Sequence, residues 1–329
     1  MIPAPDKNQV RVRVKLAGIC GSDIHYFSHG YCAAFVPTRP FILGHEFVGE
    51  IAEAGDEVTS LLPGTRVTVN PARACGACDY CRGGRSNLCP NTVMLGSAST
   101  RPPTDGGFAH FVVVSADQCY RIPPNLSDKA AAMIEPLAVA VHAVKQAGNI
   151  SGKSVLVTGA GPIGLLTAMT ARAYGAKPVV VSDVMPARRG QASRLAADAV
   201  LDPGAPNMEA QVRGLAGDGF EVLFEASGAP RALRQAFQLV RPGATLVQIG
   251  TLGTDDVPLP ANQVMSRELR LVGSFRYGND FGEAVELAVS GRFDLEALVT
   301  NTFPLESATA ALELAASKEN VLKIQLAIQ

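Results

Sequence analysis

The apolar run Val155-Leu156-Val157 leads into Gly159-Ala160-Gly161-Pro162-Ile163-Gly164, and this junction restricts the fold more than any other stretch. A strand must stop there, turn sharply and enter a helix within a few residues. The first glycine permits the turn, the second lets backbone approach a pyrophosphate, and the third allows helix to pack closely on strand. The N-terminus of that helix supplies positive potential for phosphate oxygens. A second strand, 178–182, runs into Asp183, about twenty residues on, where a carboxylate accepts hydrogen bonds from an adenosine ribose. Strand and helix keep alternating: 154–158, 163–174, 178–182, 187–196, 220–225, 231–240 and 245–249. That rhythm predicts a doubly wound parallel sheet that binds a dinucleotide. Asp183 would repel a 2′-phosphate, which favours NAD. Arg188 and Arg189 beside it admit NADP, although Arg189 reads equally as a solvated first-turn arginine.

The texture before this region is different. From residue 10 to about residue 129, short strands at 10–16, 47–52, 66–69 and 109–114 alternate with Gly, Pro and Asn, a mostly β module. A helix over 137–147, with Pro136 in its first turn and Gly148 to end it, bridges the two textures. Past Phe275 come helices at 281–290 and 305–316 and a last strand at 323–327. A chain of 329 residues, 47% hydrophobic and 18% charged, has enough apolar surface for two cores. With 29 basic against 30 acidic residues and no long basic run, nucleic acid is excluded as the main partner. The longest apolar stretch, 130–144, is interrupted by Glu135, Pro136 and His142, and residues 1–14 hold no apolar signal core. These features predict a cytoplasmic protein with no membrane partner.

Seven cysteines are present, and Cys75, Cys78, Cys81 and Cys89 crowd into one short loop. In a chain without an export signal such crowding points to metal, and four thiolates close a tetrahedral site with no open position: a structural zinc. A second set is dispersed. Cys20, the adjacent pair His45 and Glu46, and Glu135 together offer thiolate, imidazole and carboxylate, the composition of a catalytic zinc site with a free coordination position. By spacing alone, His45 and Glu46 suit a satisfied His–Glu pair equally well. His29, His110 and His142 read as structural or surface residues, and Cys32 and Cys119 as apolar packing.

Cys20-Gly21-Ser22-Asp23, Gly44-His45-Glu46, the four-cysteine loop, Glu135-Pro136-Leu137 and the Gly159–Gly164 turn stand in the order found in the zinc-dependent medium-chain dehydrogenases, which this sequence resembles over nearly its whole length. The resemblance implies a GroES-like, mostly β catalytic domain over 1–138 and 277–329. It implies a Rossmann domain over 139–276, with the active site in a cleft between the two. Glutamate at position 135 resembles the polyol branch. Segments 22–26, 96–98, 105–108, 135–140 and 273–276 resemble the L-idonate 5-dehydrogenase group more than the sorbitol enzymes.

From that likeness follow the expected roles. Cys20 and His45 bind the catalytic zinc, with Glu46 and Glu135 dividing direct ligation from contact through water, in an order the sequence leaves open. Ser22 joins a proton relay, and Tyr26, Arg276 and Tyr277 meet a sugar acid or polyol. Gly159, Gly161, Pro162, Ile163, Gly164, Asp183 and Arg188 hold NAD, with Gly250, Ser274 and Phe275 at its nicotinamide end. Two zinc ions per chain and a homodimer or homotetramer, paired through a strand at 269–274, complete the expectation. Tyr26 reads equally as an aromatic packed under a loop. The relatives carry a further stretch ahead of the segment matching Pro3-Ala4-Pro5, so either the translation start is misassigned or the β domain has an open edge. Sorbitol, xylitol or L-threonine are alternative substrates, and an inactive binding protein on the same fold or a zinc-ribbon nucleic-acid binder is the alternative from another class.

Overall fold

The strand Gln9–Gly18 alternates buried valines with more exposed arginine and lysine, so one face must be covered and the other can meet solvent. In the computed structural model, which describes residues 4–253, 256–317 and 321–329, that strand lies inside a seven-stranded sheet. Pro3 falls outside the described residues. The sheet runs in the order Val299–Pro304, Lys323–Ala327, Gln9–Gly18, Glu46–Ala54, Arg66–Val69 and Cys119–Arg121, with Phe111–Ser115 also paired to Gln9–Gly18. The C-terminal strand is therefore hydrogen-bonded to the first, Gly18 opposite Gln325. Val10, Val12, Val14, Phe47, Ile51, Val67 and Val69 form the core of this unit.

The other sheet has six strands, all parallel, in the order Ala199–Leu201, Val179–Ser182, Val155–Thr158, Phe220–Glu225, Val240–Gln248 and Arg270–Gly273. Numbered along the chain this is 3-2-1-4-5-6, the Rossmann order. Val155–Thr158 and Val179–Ser182 are buried throughout, as strands covered by helices on both faces must be. The chain divides into residues 1–135 with 278–329, and residues 136–277. The first division falls within the helix Ile134–Gln146, and Gly148, at φ +79°, follows that helix in the left-handed conformation.

Three elements differ from sequence expectation. Gly21–His29 is a helix, because Asp23 in its first turn accepts a hydrogen bond from the Cys20 N–H and so outweighs the turn propensity of Gly21 and Ser22. The strand expected at 245–249 begins at Val240, its register shifting where Pro242 and Gly243 intervene. Met208–Ala216, preceded by the short strand Ala199–Leu201, adds a helix that buries Met208 and Val212 and packs Leu215 and Ala216 against the same core.

Candidate active site

Cys20 stands just before the helix Gly21–His29, and Asp23 ties it in place. The Asp23 carboxylate, fully buried, accepts from the Cys20 N–H at 2.9 Å through one oxygen and from the Gly44 N–H at 3.3 Å through the other. The second oxygen lies 3.8 Å from His45 Nδ1, beyond hydrogen-bond length. One carboxylate thus joins the Cys20 turn to the Gly44-His45 turn. Gly44 has φ +94°, and a Cβ there would lie 2.3 Å from the Phe108 ring, so both conformation and space require glycine.

Glu46 opens the strand Glu46–Ala54 and pairs in register with Gly18. A Cβ on Gly18 would lie 2.2 Å from Glu46 Oε2, so this glycine is the cradle of that carboxylate. Lys323 donates to both Glu46 oxygens, at 2.7 Å to Oε1, and to the Ile19 carbonyl at 3.0 Å. One sulfur, nitrogen or oxygen atom each from Cys20, His45 and Glu46 lie within 4.8 Å of one another. Burial alone would lower the pKa of His45; the Cys20 and Asp23 side chains, with Glu135, outweigh it and hold the imidazole well above its ordinary value. His45 Nδ1 is buried without a hydrogen-bond partner. A soft sulfur, an imidazole and a carboxylate at this separation suit a zinc ion. Glu135, at 5% exposure, is not one of the three clustered donors, although its charge acts on both His45 and Lys323.

The four cysteines of the loop also converge, their sulfurs within 4.8 Å of one another and Cys78 Sγ 3.5 Å from Cys81 Sγ. Backbone N–H groups of Ala77 and Cys78 hold the Cys75 thiol down at about 6, while desolvation and the bond to Cys78 push Cys81 up to about 12. Such unequal sharing of protons among four sulfurs is removed when a cation replaces the protons.

In the second unit Gly159 takes φ +93°, Gly161 caps the helix Pro162–Ala173, and Ile163 follows Pro162 in its first turn. A Cβ on Gly164 would lie 1.8 Å from the Gly159 carbonyl oxygen. Asp183 Oδ2 accepts from the Ala160 N–H and Oδ1 from the Met185 N–H, both at 2.8 Å. Arg188 reaches over the turn, its Nη1 being 3.3 Å from where a Gly161 Cβ would be. Arg189 is not a solvated arginine: it donates to the Asp183 carbonyl at 2.8 Å and pairs with Asp202 at 2.9 Å. Asp202, far along the sequence, supplies the partner that local pattern could not show.

The residues assigned to substrate are placed less uniformly. Ser22 is partly buried in the first turn of Gly21–His29. Tyr26 accepts from the Ala98 N–H at 3.1 Å and packs edge-on against Phe41. Arg276 has φ +54° and lies 4.8 Å over the ring of Phe275, which is 48% exposed, whereas Tyr277 is buried. A Cβ on Gly250 would lie 2.3 Å from the Gly228 nitrogen, and Ser274 follows the edge strand Arg270–Gly273. His142 is buried against Gln146, and His29 stacks on His25. Sequence reasoning missed Asp23 and Lys323. A helix opening with an acid at its third position signals the first, and a lone lysine in the apolar run 321–328 the second.

The alcohol dehydrogenase GroES-like domain model matches residues 6–124, and the zinc-binding dehydrogenase model residues 162–290. A sorbitol dehydrogenase of Bacillus subtilis is 35% identical over 329 residues, covering 99% of this chain and 92% of that protein. A probable D-xylulose reductase A of Aspergillus clavatus is 39% identical over 94% of this chain and 86% of its own length. Among solved structures, L-idonate 5-dehydrogenase from Escherichia coli superposes with a TM-score of 0.92 at 34% identity, covering 98% of this chain and 91% of the other. A zinc-binding dehydrogenase of Sinorhizobium meliloti bound to NADP gives a TM-score of 0.89 at 33% identity, over 99% and 94%. An Escherichia coli alcohol dehydrogenase with NADH gives 0.90 at 31%, over 99% and 94%. The chain belongs to the zinc-dependent medium-chain dehydrogenases. Within them it falls in the polyol branch, the branch of its sorbitol and xylulose relatives. Among the described residues no helix is long and apolar enough to cross a membrane.

Proposed function

We propose that this protein oxidises the C5 hydroxyl of L-idonate to 5-ketogluconate, reversibly, with NAD as hydride acceptor. The observation that carries the proposal is the convergence of Cys20, His45 and Glu46 within 4.8 Å. When bound by these three residues, with Glu135 as a further carboxylate, zinc lowers the pKa of a coordinated hydroxyl. The chain's own residues do the rest. Ser22 Oγ relays the hydroxyl proton, releasing its own hydrogen to solvent water as it accepts that of the substrate. Asp23 holds the Cys20 and Gly44 backbones, and Lys323 holds the buried Glu46 carboxylate by both oxygens.

Gly159, Gly161, Pro162, Ile163 and Gly164 take the pyrophosphate, Asp183 the adenosine ribose, and Gly250, Ser274 and Phe275 the nicotinamide end. Cys75, Cys78, Cys81 and Cys89 hold a second, structural zinc. The substrate carboxylate meets Arg276, with Tyr26 and Tyr277 near the polyol chain. The edge strand Arg270–Gly273, with Leu271 at 37% exposure, joins two copies into a homodimer, or into the dimers of a homotetramer, in the cytoplasm. A second reading, a general polyol dehydrogenase, is favoured by the sorbitol and xylulose relatives.

Formation of NADH with L-idonate, sorbitol, xylitol and L-threonine distinguishes the two. A charge-assisted contact to a carboxylate contributes roughly 1.5–3 kcal/mol, so kcat/KM for L-idonate should exceed that for sorbitol about ten- to a hundredfold. Arg276→Met should abolish that margin. Equal values in the wild-type enzyme establish the general polyol reading instead.

A further inference from the structure

Glu225 ends the strand Phe220–Glu225 with 1% exposure, yet it is surrounded by polar groups. Its Oε1 accepts from the Ser227 N–H at 2.9 Å, from the Ser227 hydroxyl, and from Thr158 Oγ1 at 3.4 Å. Its Oε2 accepts from Gln248 Nε2 at 2.7 Å, and the Gly228 N–H lies 3.2 Å from each oxygen. The backbone carbonyl of Glu225 accepts in turn from the Ile249 and Gly250 N–H groups, both at 2.9 Å. Thr158, Glu225 and Gln248 are the last residues of three adjacent parallel strands. One carboxylate therefore gathers the C-terminal ends of the sheet, the edge at which open α/β sheets bind ligands.

The backbone around this carboxylate has no spare room. A Cβ on Gly228 would lie 2.5 Å from the Thr251 carbonyl oxygen, and one on Gly250 would lie 2.3 Å from the Gly228 nitrogen. Gln248 is given over to holding the arrangement: its Nε2 donates to Glu225 Oε2 and to the Gly250 carbonyl, both at 2.7 Å. Both partners only accept, so the amide's orientation is fixed. Its Oε1 is left buried without a hydrogen-bond partner, as is Ser274 Oγ on the next strand end. Buried polar atoms are normally paired, and leaving two unpaired at one sheet edge marks a place shaped for a task other than stability.

We infer that Glu225 is a positioning residue for the nicotinamide half of the dinucleotide, acting through Gln248 and the backbone of residues 227–228 and 249–250. The inference rests on the dinucleotide reading above. Glu225 touches neither substrate nor hydride; it fixes the two turns against which the nicotinamide riboside is held. Its strong bonds are to Ser227 and Gln248, whereas the one toward the Gly159 turn, from Thr158, is long. The Gly159 turn meets this network by packing, a Cβ there lying 2.8 Å from the Ser227 Cα, so the pyrophosphate and adenosine half loses no hydrogen bond of its own when Glu225 is changed.

The test compares NADH with ADP-ribose, which lacks the nicotinamide, by calorimetric titration of the purified zinc-loaded enzyme without substrate. In Glu225→Gln the new amide N–H group faces the donors of Gly228 or Gln248. The Kd for NADH should rise about tenfold while that for ADP-ribose changes less than about twofold. Should Glu225→Gln fail to fold, Gln248→Leu, which leaves Glu225 its Ser227 and Gly228 donors, should give the same selective loss. Equal weakening of both ligands, or weakening of neither, overturns the inference and leaves dinucleotide binding intact. A wild-type enzyme that binds neither ligand overturns the dinucleotide reading together with it.

Discussion

Lys323 Nζ lies 2.7 Å from Glu46 Oε1 and also touches Oε2, and the two side chains are only 4% and 2% exposed. Burial alone would lower the lysine pKa. The Glu46 carboxylate, with Cys20 beyond it, reverses that and holds the ammonium above its ordinary value. A lysine raised in the folded state stabilises fully below its unfolded pKa and loses that contribution only as pH climbs through the folded value, so the pair is intact throughout the neutral range. In the protein stripped of zinc, Lys323→Met leaves Glu46 without its cationic partner and should cost about 3–5 kcal/mol in urea unfolding, with no change in the deficit between about pH 6 and about pH 9. Adding Glu46→Gln should return much of the loss. A deficit below about 1 kcal/mol would show the pair to be inconsequential.

Asp23 acts on the zinc trio through backbone. Asp23→Asn replaces one of the oxygens facing the Cys20 and Gly44 N–H groups by a donor. Zinc affinity at the trio should fall about 10–100-fold, as measured by chelator competition, with the four-cysteine site unaffected. Unchanged affinity would make Asp23 a purely structural carboxylate.

The four-cysteine cluster should behave differently. Cys78→Ser removes one of four sulfurs from a closed site. It should reduce the metal content from two zinc ions to one per chain and lower the melting temperature. Retention of two zinc ions with an unshifted transition would contradict a structural role.

Local features were legible in the sequence because their parts are close together in the chain. The Gly159–Gly164 turn and the cysteine loop each carry their chemistry within a few residues, and both fold as their spacing requires. Cys20, His45 and Glu46 lie farther apart, and spacing alone left His45 and Glu46 open to a plain ion-pair reading. Glu46 instead pairs with Lys323, 277 residues away, because the last strand is paired with the first in one sheet. No local pattern can show a partner at that separation. Arg189 was left open between a phosphate contact and a solvated arginine for the same reason, since Asp202 reaches it from the next strand's end.

The proposed preference for NAD rests on Asp183, whose carboxylate is held by the Ala160 and Met185 N–H groups at the end of its strand. Asp183→Ala should shift kcat/KM from NAD toward NADP, helped by Arg188 beside the Gly161 turn. A wild-type enzyme already more efficient with NADP would contradict the assignment.

The most direct measurement is NAD reduction by L-idonate, followed in the wild-type enzyme and in Cys20→Ser, with zinc content and thermal unfolding recorded on the same samples. The wild type should turn over with two zinc ions bound. Cys20→Ser should keep its four-cysteine zinc and its unfolding transition but produce no NADH, because the trio has lost its sulfur. Full activity in Cys20→Ser would contradict the account at its centre.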